Sequence, residues 1–235
     1  MKKRDDTGAA TRPSAEKTSS AERTRAALID AGLKLFGRKG FAATSTREIA
    51  AEARANIGSI AYHFGGKEQL RDACAEHIVA SIRSIADPVL QQLPAPSDPA
   101  TAEAQLRLAA ERMAGFLIAG PGVADFVQFI LREVQQPTRA FDIVYEGLVE
   151  AVHRRLCHVW AAATGDDPDS EETRIVVFTL IGQIVYFRIA REVVVRRMGW
   201  QEMGPAQARL IVATALDNVM AALAARREKK RERKP

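Results

Sequence analysis

Residues 44–67, Thr-Ser-Thr-Arg-Glu-Ile-Ala-Ala-Glu-Ala-Arg-Ala-Asn-Ile-Gly-Ser-Ile-Ala-Tyr-His-Phe-Gly-Gly-Lys, constrain the fold more than any other stretch. They are too interrupted for one helix and have no period-two alternation for a strand, so they read as two short helices joined by a tight turn. The first is expected over 46–53. Ser45 stands three residues before Glu48, the spacing of a capping box, and Ile49, Ala50 and Ala53 give a narrow apolar stripe. The second is expected over 57–64, with Asn56 as its cap and Ile57, Ile60, Ala61 and Phe64 on one inward face. Ser59, Tyr62 and His63 then occupy the other face, and Gly65-Gly66 ends the helix before Lys67. A helix pair of this kind places a small, polar-faced helix where it can enter the major groove of DNA.

Helical spacing continues on both sides. A helix is expected over 21–39, stopped by Gly40, and another from Lys67 to about residue 86, ended or kinked by Pro88. The run 93–99, with three prolines, reads as a loop and as a boundary between subregions. Helices follow over 101–119, 123–135, 138–163, 167–198 (Asp167 leading, Pro168 in the first turn) and 205–226. The total is nine, with no sustained alternation, so the class is all-α. Residues 1–20 and 227–235 are polar and charged, and are expected to be disordered.

An ordered series of residues makes this layout resemble the TetR family of bacterial transcriptional regulators. It runs Ala31-Gly32-Leu33-Lys34-Leu35-Phe36, Gly40-Phe41, Thr44-Ser45-Thr46-Arg47-Glu48-Ile49-Ala50, and Tyr62-His63-Phe64-Gly65-Gly66-Lys67-Glu68-Gln69-Leu70. Residues 187–200, from Phe187 to Trp200, also look like the C-terminal domain of the CerR-type branch of that family. The resemblance implies a DNA-binding headpiece over 21–66 and a ligand-binding and dimerisation domain over 67–226. It further implies a DNA-facing set of Thr44, Ser45, Thr46, Arg47, Arg54, Asn56, Ser59, Tyr62, His63 and Lys67. Within it Ser59 and Tyr62 meet bases or groove walls, and Thr46, His63 and Lys67 hold phosphates.

Two positions depart from the family pattern. Arg54 stands where the turn usually carries glycine, and a left-handed backbone there would cost on the order of 1 kcal/mol unless a phosphate contact offsets it. Ala61 stands where relatives often carry an aromatic or polar side chain, which implies one DNA contact fewer.

The last two long helices carry apolar stripes, Ile175, Phe178, Thr179, Gly182, Val185, Tyr186 and Ile189 on one, and Leu210, Ala213, Thr214, Asp217, Val219, Met220 and Leu223 on the other. Either both stripes pack inside one protomer, or, as the resemblance implies, they pair with their copies in a four-helix bundle that makes a homodimer. The interface is then expected at Phe178, Gly182, Val185, Ala213, Leu216 and Met220. A ligand pocket is expected among Phe116, Phe126, Phe129, Arg132, Tyr145, His153, Tyr186 and Arg188, although aromatic residues at helical spacing also build ordinary cores. For Arg188 two readings stand, a ligand contact or an ion pair with Glu192 at i+4.

The chemistry of the chain gives little to an enzyme. His153 and His158 lie five residues apart, about 140° around a helix, and so share no metal-binding face. Phosphate-loop, Cys-x-x-Cys, His-Glu-x-x-His and Gly-x-Ser-x-Gly patterns do not occur in the sequence. No cofactor or metal is expected. Cys74 and Cys157 fall in apolar helical patterns, as buried thiols do in a reducing compartment. No leader-like segment and no run of about 18 apolar residues occurs, so no membrane partner is expected.

Net charge is +5 and the pI is 9.4, a balance that favours a polyanion without identifying one. Residues 226–235 hold seven basic and two acidic residues, 7 − 2 = +5, so the rest of the chain is about neutral and any DNA-binding surface is a local patch. The resulting expectation is a cytoplasmic, nucleoid-bound regulator of transcription, a repressor, that binds double-stranded operator DNA and an unidentified small-molecule effector. The alternative is a small-molecule binding or modifying protein with a vestigial headpiece.

Overall fold

The computed structural model describes residues 14–90, 96, 98–120 and 122–232, and the side chains of 20–84, 96, 98–118, 120 and 122–232. The described chain holds helices α1 (Ser14–Lys39), α2 (Thr46–Glu52), α3 (Gly58–Phe64), α4 (Lys67–Leu90), α5 (Pro99–Ala119), α6 (Val123–Gln135), α7 (Arg139–Val144), α8 (Glu150–Thr164), α9 (Glu171–Ile189), α10 (Arg191–Met198) and α11 (Pro205–Glu232). A π-helical turn, Tyr145–Val149, lies between α7 and α8. Among the described residues there is no strand, and the class is all-α. The nine expected segments are present, two of them broken: 138–163 by the π turn, and 167–198 at Ala190, where α9 and α10 meet at 76°.

The chain divides into two compact units, Met1–Cys74 and Ala75–Pro235, so the division falls within α4 and not at residues 66–67 or in the proline-rich run. Most of that run lies outside the described residues. In the first unit, Leu28, Leu33, Phe36, Ile49, Ile60 and Leu70 are buried together from α1, α2, α3 and the start of α4. Cys74 is buried beside them, its Sγ donating to the Ile29 carbonyl at 3.6 Å, and burial pushes its thiol well above the usual range.

In the second unit α5 packs on α8, α9 and α11. Two apolar clusters result: Ala110, Ile118, Ile184, Val194, Ile211 and Leu216 form one, and Leu106, Trp160, Val177, Val219 and Leu223 the other. Gly147, in the π turn, lies so close to Val79 of α4 that a Cβ there would stand 2.9 Å from the valine Cγ1.

Several boundaries differ from expectation for local reasons. The arm expected to be disordered over 1–20 is helical from Ser14, and residues 1–13 lie outside the described residues. Pro88 does not stop α4, since a proline near the end of a helix forfeits one hydrogen bond without unwinding the turn already made. The α5 helix begins at Pro99 because the Asp98 carboxylate accepts from the amides of Ala100 and Thr101, each at 2.9 Å. The same Asp-Pro pair at 167–168 starts no helix. Ser170 caps α9, accepting from the Thr173 amide at 3.3 Å, while Asp167 accepts from the Asp169 amide in the preceding turn.

The tail expected to be disordered over 227–235 is helical through Glu232, and 233–235 lie outside the described residues. By length and composition alone α11 could cross a membrane, with an 18-residue window of mean hydropathy 1.5. Here Ala208, Ile211, Ala215, Leu216, Val219 and Leu223 make its inner side part of the core.

Candidate nucleic-acid interface and effector cavity

The helix pair is held by its caps. Ser45 N–H donates to Glu48 Oε2 at 2.9 Å and Glu48 N–H donates to Ser45 Oγ at 3.2 Å, the reciprocal capping box that the spacing predicts. Glu48 also accepts from Lys39 Nζ at 2.6 Å, and Lys34 Nζ pairs with Glu52. The Lys39 hydrogen bond, then those of the Ser45 amide and hydroxyl, hold the Glu48 carboxyl at about 2. Arg54, in the turn, has φ of 50°, the left-handed conformation that glycine adopts freely. The strain expected at this position is therefore present. The turn is closed by Ala55 N–H on the Ala50 carbonyl at 2.9 Å. Asn56 Oδ1 accepts from Gly58 N–H at 2.9 Å, and Gly65, at φ 89°, ends α3.

The orientation of α3 differs from the helical-wheel expectation. Ile60 is buried and Ser59, His63 and Phe64 are half-buried, whereas Ile57, Gly58, Ala61, Tyr62 and Gly65 stand outward. The helix begins at Gly58 with Ile57 as its N-cap, still in helical conformation (φ −56°, ψ −34°), and Ile57 stands half exposed instead of on the inward face to which its spacing assigned it. Among the expected DNA-facing residues, Ser45, Arg47, Arg54, Asn56 and Tyr62 are exposed, and Thr46, Ser59, His63 and Lys67 are half-buried. Thr44 is a correction. It is buried, with its hydroxyl on the carbonyls of Gly40 at 2.8 Å and Leu35 at 3.3 Å, so it braces the end of α1 and faces no groove.

A basic cluster was only half legible. Lys67 Nζ lies 4.1 Å, and Arg71 Cζ 4.2 Å, from the centroid of the Phe41 ring. Burial, then the Arg71 charge, lowers the Lys67 ammonium from its ordinary value, with Glu48 acting in the opposite sense. Arg71 was missed because it lies beyond the motif; its i+4 spacing from Lys67 was the available signal.

The second unit holds a partly open cavity of about 340 Å³, within the size range of small-molecule sites. It is walled by Ile82, Leu106, Ala109, Met113, Phe116, Leu148, Val152, His153, Val177, Phe178 and Ile181 among others. Gln105, Arg112 and Arg155 also reach its wall and were not anticipated. His153 Nε2 donates to the Arg174 carbonyl at 3.1 Å, so its Nδ1 faces Cys157 Sγ at 3.7 Å. The imidazole stacks on Phe178, with centroids 3.9 Å apart. Its polar atoms are occupied by protein, and what it offers the cavity is a ring.

Of the eight expected pocket residues, Phe116 and His153 line this cavity and the other six do not. Phe129 is in the core, Phe126 meets His77 edge-on at 5.9 Å, and Tyr145 stacks on Phe141 at 5.9 Å. Arg132 and Tyr186 are exposed. Arg188 is half-buried, and burial, then Arg191, lowers its guanidinium from the ordinary value; the expected Glu192 partner is taken instead by Arg196 at 3.0 Å. Among the expected interface residues, Phe178, Gly182 and Ala213 are exposed and Val185 and Met220 half-buried. Leu216 is a correction, buried within its own unit. Among the described residues no three His, Cys, Asp or Glu side chains gather as a metal site requires.

A capped helix-turn-helix in one unit and a partly open apolar cavity in the other define a DNA-binding protein with a separate place for a small molecule. Two family profiles match this sequence: the "Bacterial regulatory proteins, tetR family" profile over residues 28–74, and that of the "HTH-type transcriptional dual regulator CecR, C-terminal domain" over residues 102–226. The chain belongs to the TetR family of transcriptional regulators, in the branch with a CecR-type C-terminal domain, the branch expected above under the name CerR. The dual regulator CecR of Shigella flexneri is 36% identical over 203 residues, 84% of this chain and 90% of that protein. The repressor NicS of Pseudomonas putida is 37% identical over 71 residues, 30% of this chain and 34% of that protein. Among solved structures, AibR in complex with isovaleryl coenzyme A and operator DNA shares the fold, with a TM-score of 0.61, 16% identity, and coverage of 83% of this chain and 96% of that one. The protein is thus a DNA-binding regulator of transcription and not an enzyme.

Proposed function

We propose that the protein is a homodimeric repressor that a small apolar effector releases from a pseudo-palindromic operator. The observation that carries this reading is the uncovered face of α9 and α11. Ile175, Phe178, Tyr186 and Ile189 on α9 and Leu210 on α11 are each more than half exposed, and nothing stands within 4 Å of where a Gly182 Cβ would be. A second copy covers such a face at little cost, through a twofold four-helix bundle. Two headpieces so related meet successive major grooves about 34 Å apart. The effector occupies the cavity of the second unit. Phe178 belongs to both places, since it walls the cavity, stacks on His153 and points into the uncovered face. A ligand that moves this ring alters the fit of the partner and so favours one dimer geometry over another; the size of the response equals the difference in effector affinity for the two geometries. The protein works in the cytoplasm, at the nucleoid.

Selection of bound duplexes from random DNA, followed by a compound screen for release, tests the reading. A symmetric site whose binding an apolar compound reverses supports it. A protein that retains no duplex above background, or a compound that tightens binding, overturns it.

A further inference from the structure

We propose that this regulator reads thymine through Ile57, with Ala61 beside it, by contact with the C5 methyl group in the major groove. The proposal rests on the DNA-binding reading above. Side chains on the outward face of the recognition element are Ile57 at 50% exposure, Ala61, and Tyr62 at 83%, with Gly58 and Gly65 between and after them. Ile57, at the N-cap, keeps the helical conformation, so it and Ala61, four residues on and also exposed, are neighbours on one side. Tyr62 carries the only hydrogen-bonding group of that face. The side chains that recognise bases through paired hydrogen bonds, arginine or lysine on guanine and asparagine or glutamine on adenine, do not occur between Gly58 and Phe64. Asn56 precedes the helix, but its Oδ1 is engaged by the Gly58 amide. That leaves its NH2 group alone, and adenine needs both halves of the amide.

The thymine methyl is the apolar group that a base pair presents in the major groove, and apolar side chains recognise it. Isoleucine at the leading edge of α3 is suited to it in position as well as in chemistry, because the first residues of a recognition helix meet base edges. Its place is fixed, with the Ile57 carbonyl accepting from the Ile60 amide at 3.4 Å and the Asn56 carbonyl from the Ser59 amide at 2.9 Å. Lys67 and Arg71 supply positive charge in the same unit for phosphates, which set the register but carry no sequence information.

The test uses the full chain and the duplex obtained by selection. Each thymine is replaced singly by deoxyuridine, which removes the methyl and keeps the hydrogen-bonding edge. One or two positions in each half-site are expected to lose affinity about fourfold, the factor for one buried carbon. In Ile57→Ala the same positions are expected to become insensitive to uracil, while uracil elsewhere remains neutral. Ile57→Val, which keeps the fold and most of the contact, is expected to retain the sensitivity. Wild-type protein that binds the site but tolerates uracil everywhere within twofold overturns the proposal. So does uracil sensitivity that persists unchanged in Ile57→Ala. Failure of wild-type protein to bind any duplex would instead remove the DNA-binding reading underneath.

Discussion

Arg226 donates through Nε to Asp166 Oδ2 at 3.0 Å, tying the end of α11 to the loop after α8. Trp160 Nε1 reaches the same oxygen at 3.3 Å, and Lys230 Nζ lies 3.4 Å from the other carboxylate oxygen. Next to this pair Arg227 Nε donates to the Ala163 carbonyl at 2.9 Å, and Lys230 to the Gly165 carbonyl. The basic run that composition alone presents as a solvated tail is therefore the cap of α8. Its cations sit on the orphan carbonyls of that helix, at the negative end of its dipole.

Breaking this tie should cost stability and leave operator recognition alone. Asp166→Asn is expected to lower the stability of the second unit by about 1.5–3 kcal/mol, the range for one hydrogen bond to a charged group, read as a fall in its melting temperature. Burial pushes the Asp166 carboxyl up, but the Arg226 hydrogen bond and charge, with the hydrogen bonds of Thr164 and Trp160, together outweigh it, and the net shift is downward. A carboxyl lowered on folding contributes stability above its unfolded value, about 3.9, and loses it as pH falls through the folded value. The difference between wild type and Asp166→Asn should accordingly be constant from pH 7 to 5 and close below about pH 4. A difference that grows on acidification would place the ion pair's contribution elsewhere.

The headpiece offers a second titration. Glu48 should titrate by carbon-detected NMR near pH 2, well below the usual carboxylate, and Lys39→Ala should raise that midpoint. With the sign as for Asp166, the capping box persists through mild acid and fails only as pH approaches 2. Ser45→Ala removes the cap itself and is expected to cost about 1 kcal/mol. A Glu48 midpoint above 4 would show that the box is open in solution.

Arg54 separates fold from binding. Arg54→Gly relieves the left-handed strain, so the melting temperature should hold or rise slightly. If its guanidinium meets a phosphate, affinity falls on all sequences alike and the slope of log K against log salt flattens by about 1. Unchanged affinity across salt would reduce Arg54 to a turn residue.

The uncovered face predicts a particle of twice 25.7 kDa in solution. Gly182→Asp and Ala213→Asp, both at exposed positions, should each give monomers that fold but lose operator affinity, because a twofold contact repeats every defect. Light scattering that finds a wild-type monomer at concentrations where specific DNA binding persists would sink the proposal.

Much of this was legible because local chemistry decides it. Ser45 and Glu48 set the start of α2, Gly65 the end of α3, and α6 has the bounds its spacing predicts, Val123–Gln135. The failures have equally local causes. One Asp-Pro pair caps a helix and the other does not, since at 170 a serine competes for the role. Ile57 fits the inward stripe by spacing, yet at the N-cap, on the first edge of the helix, it stands half exposed. The cavity was the least legible part. A helical wheel shows which side chains face the interior, but whether that interior is filled depends on how α5, α8 and α9 fit together, and no single helix carries that information.

The π turn at Tyr145–Val149 has a genetic corollary. Its bond from the Glu150 amide to the Tyr145 carbonyl spans five residues where an α-helix spans four, which accommodates one amino acid more than a regular turn. Deleting a single codon there would let the turn close as a regular α-helix, and because the wider turn had absorbed that residue, the side chains after it would keep their places. His153, Cys157 and Trp160 would be turned away together only by a deletion within α8 itself, where no wide turn takes up the change. A lineage carrying this chain can therefore gain or shed one residue at this turn and keep the whole of α8 in register, whereas the same change inside α8 would rewrite every later position at once.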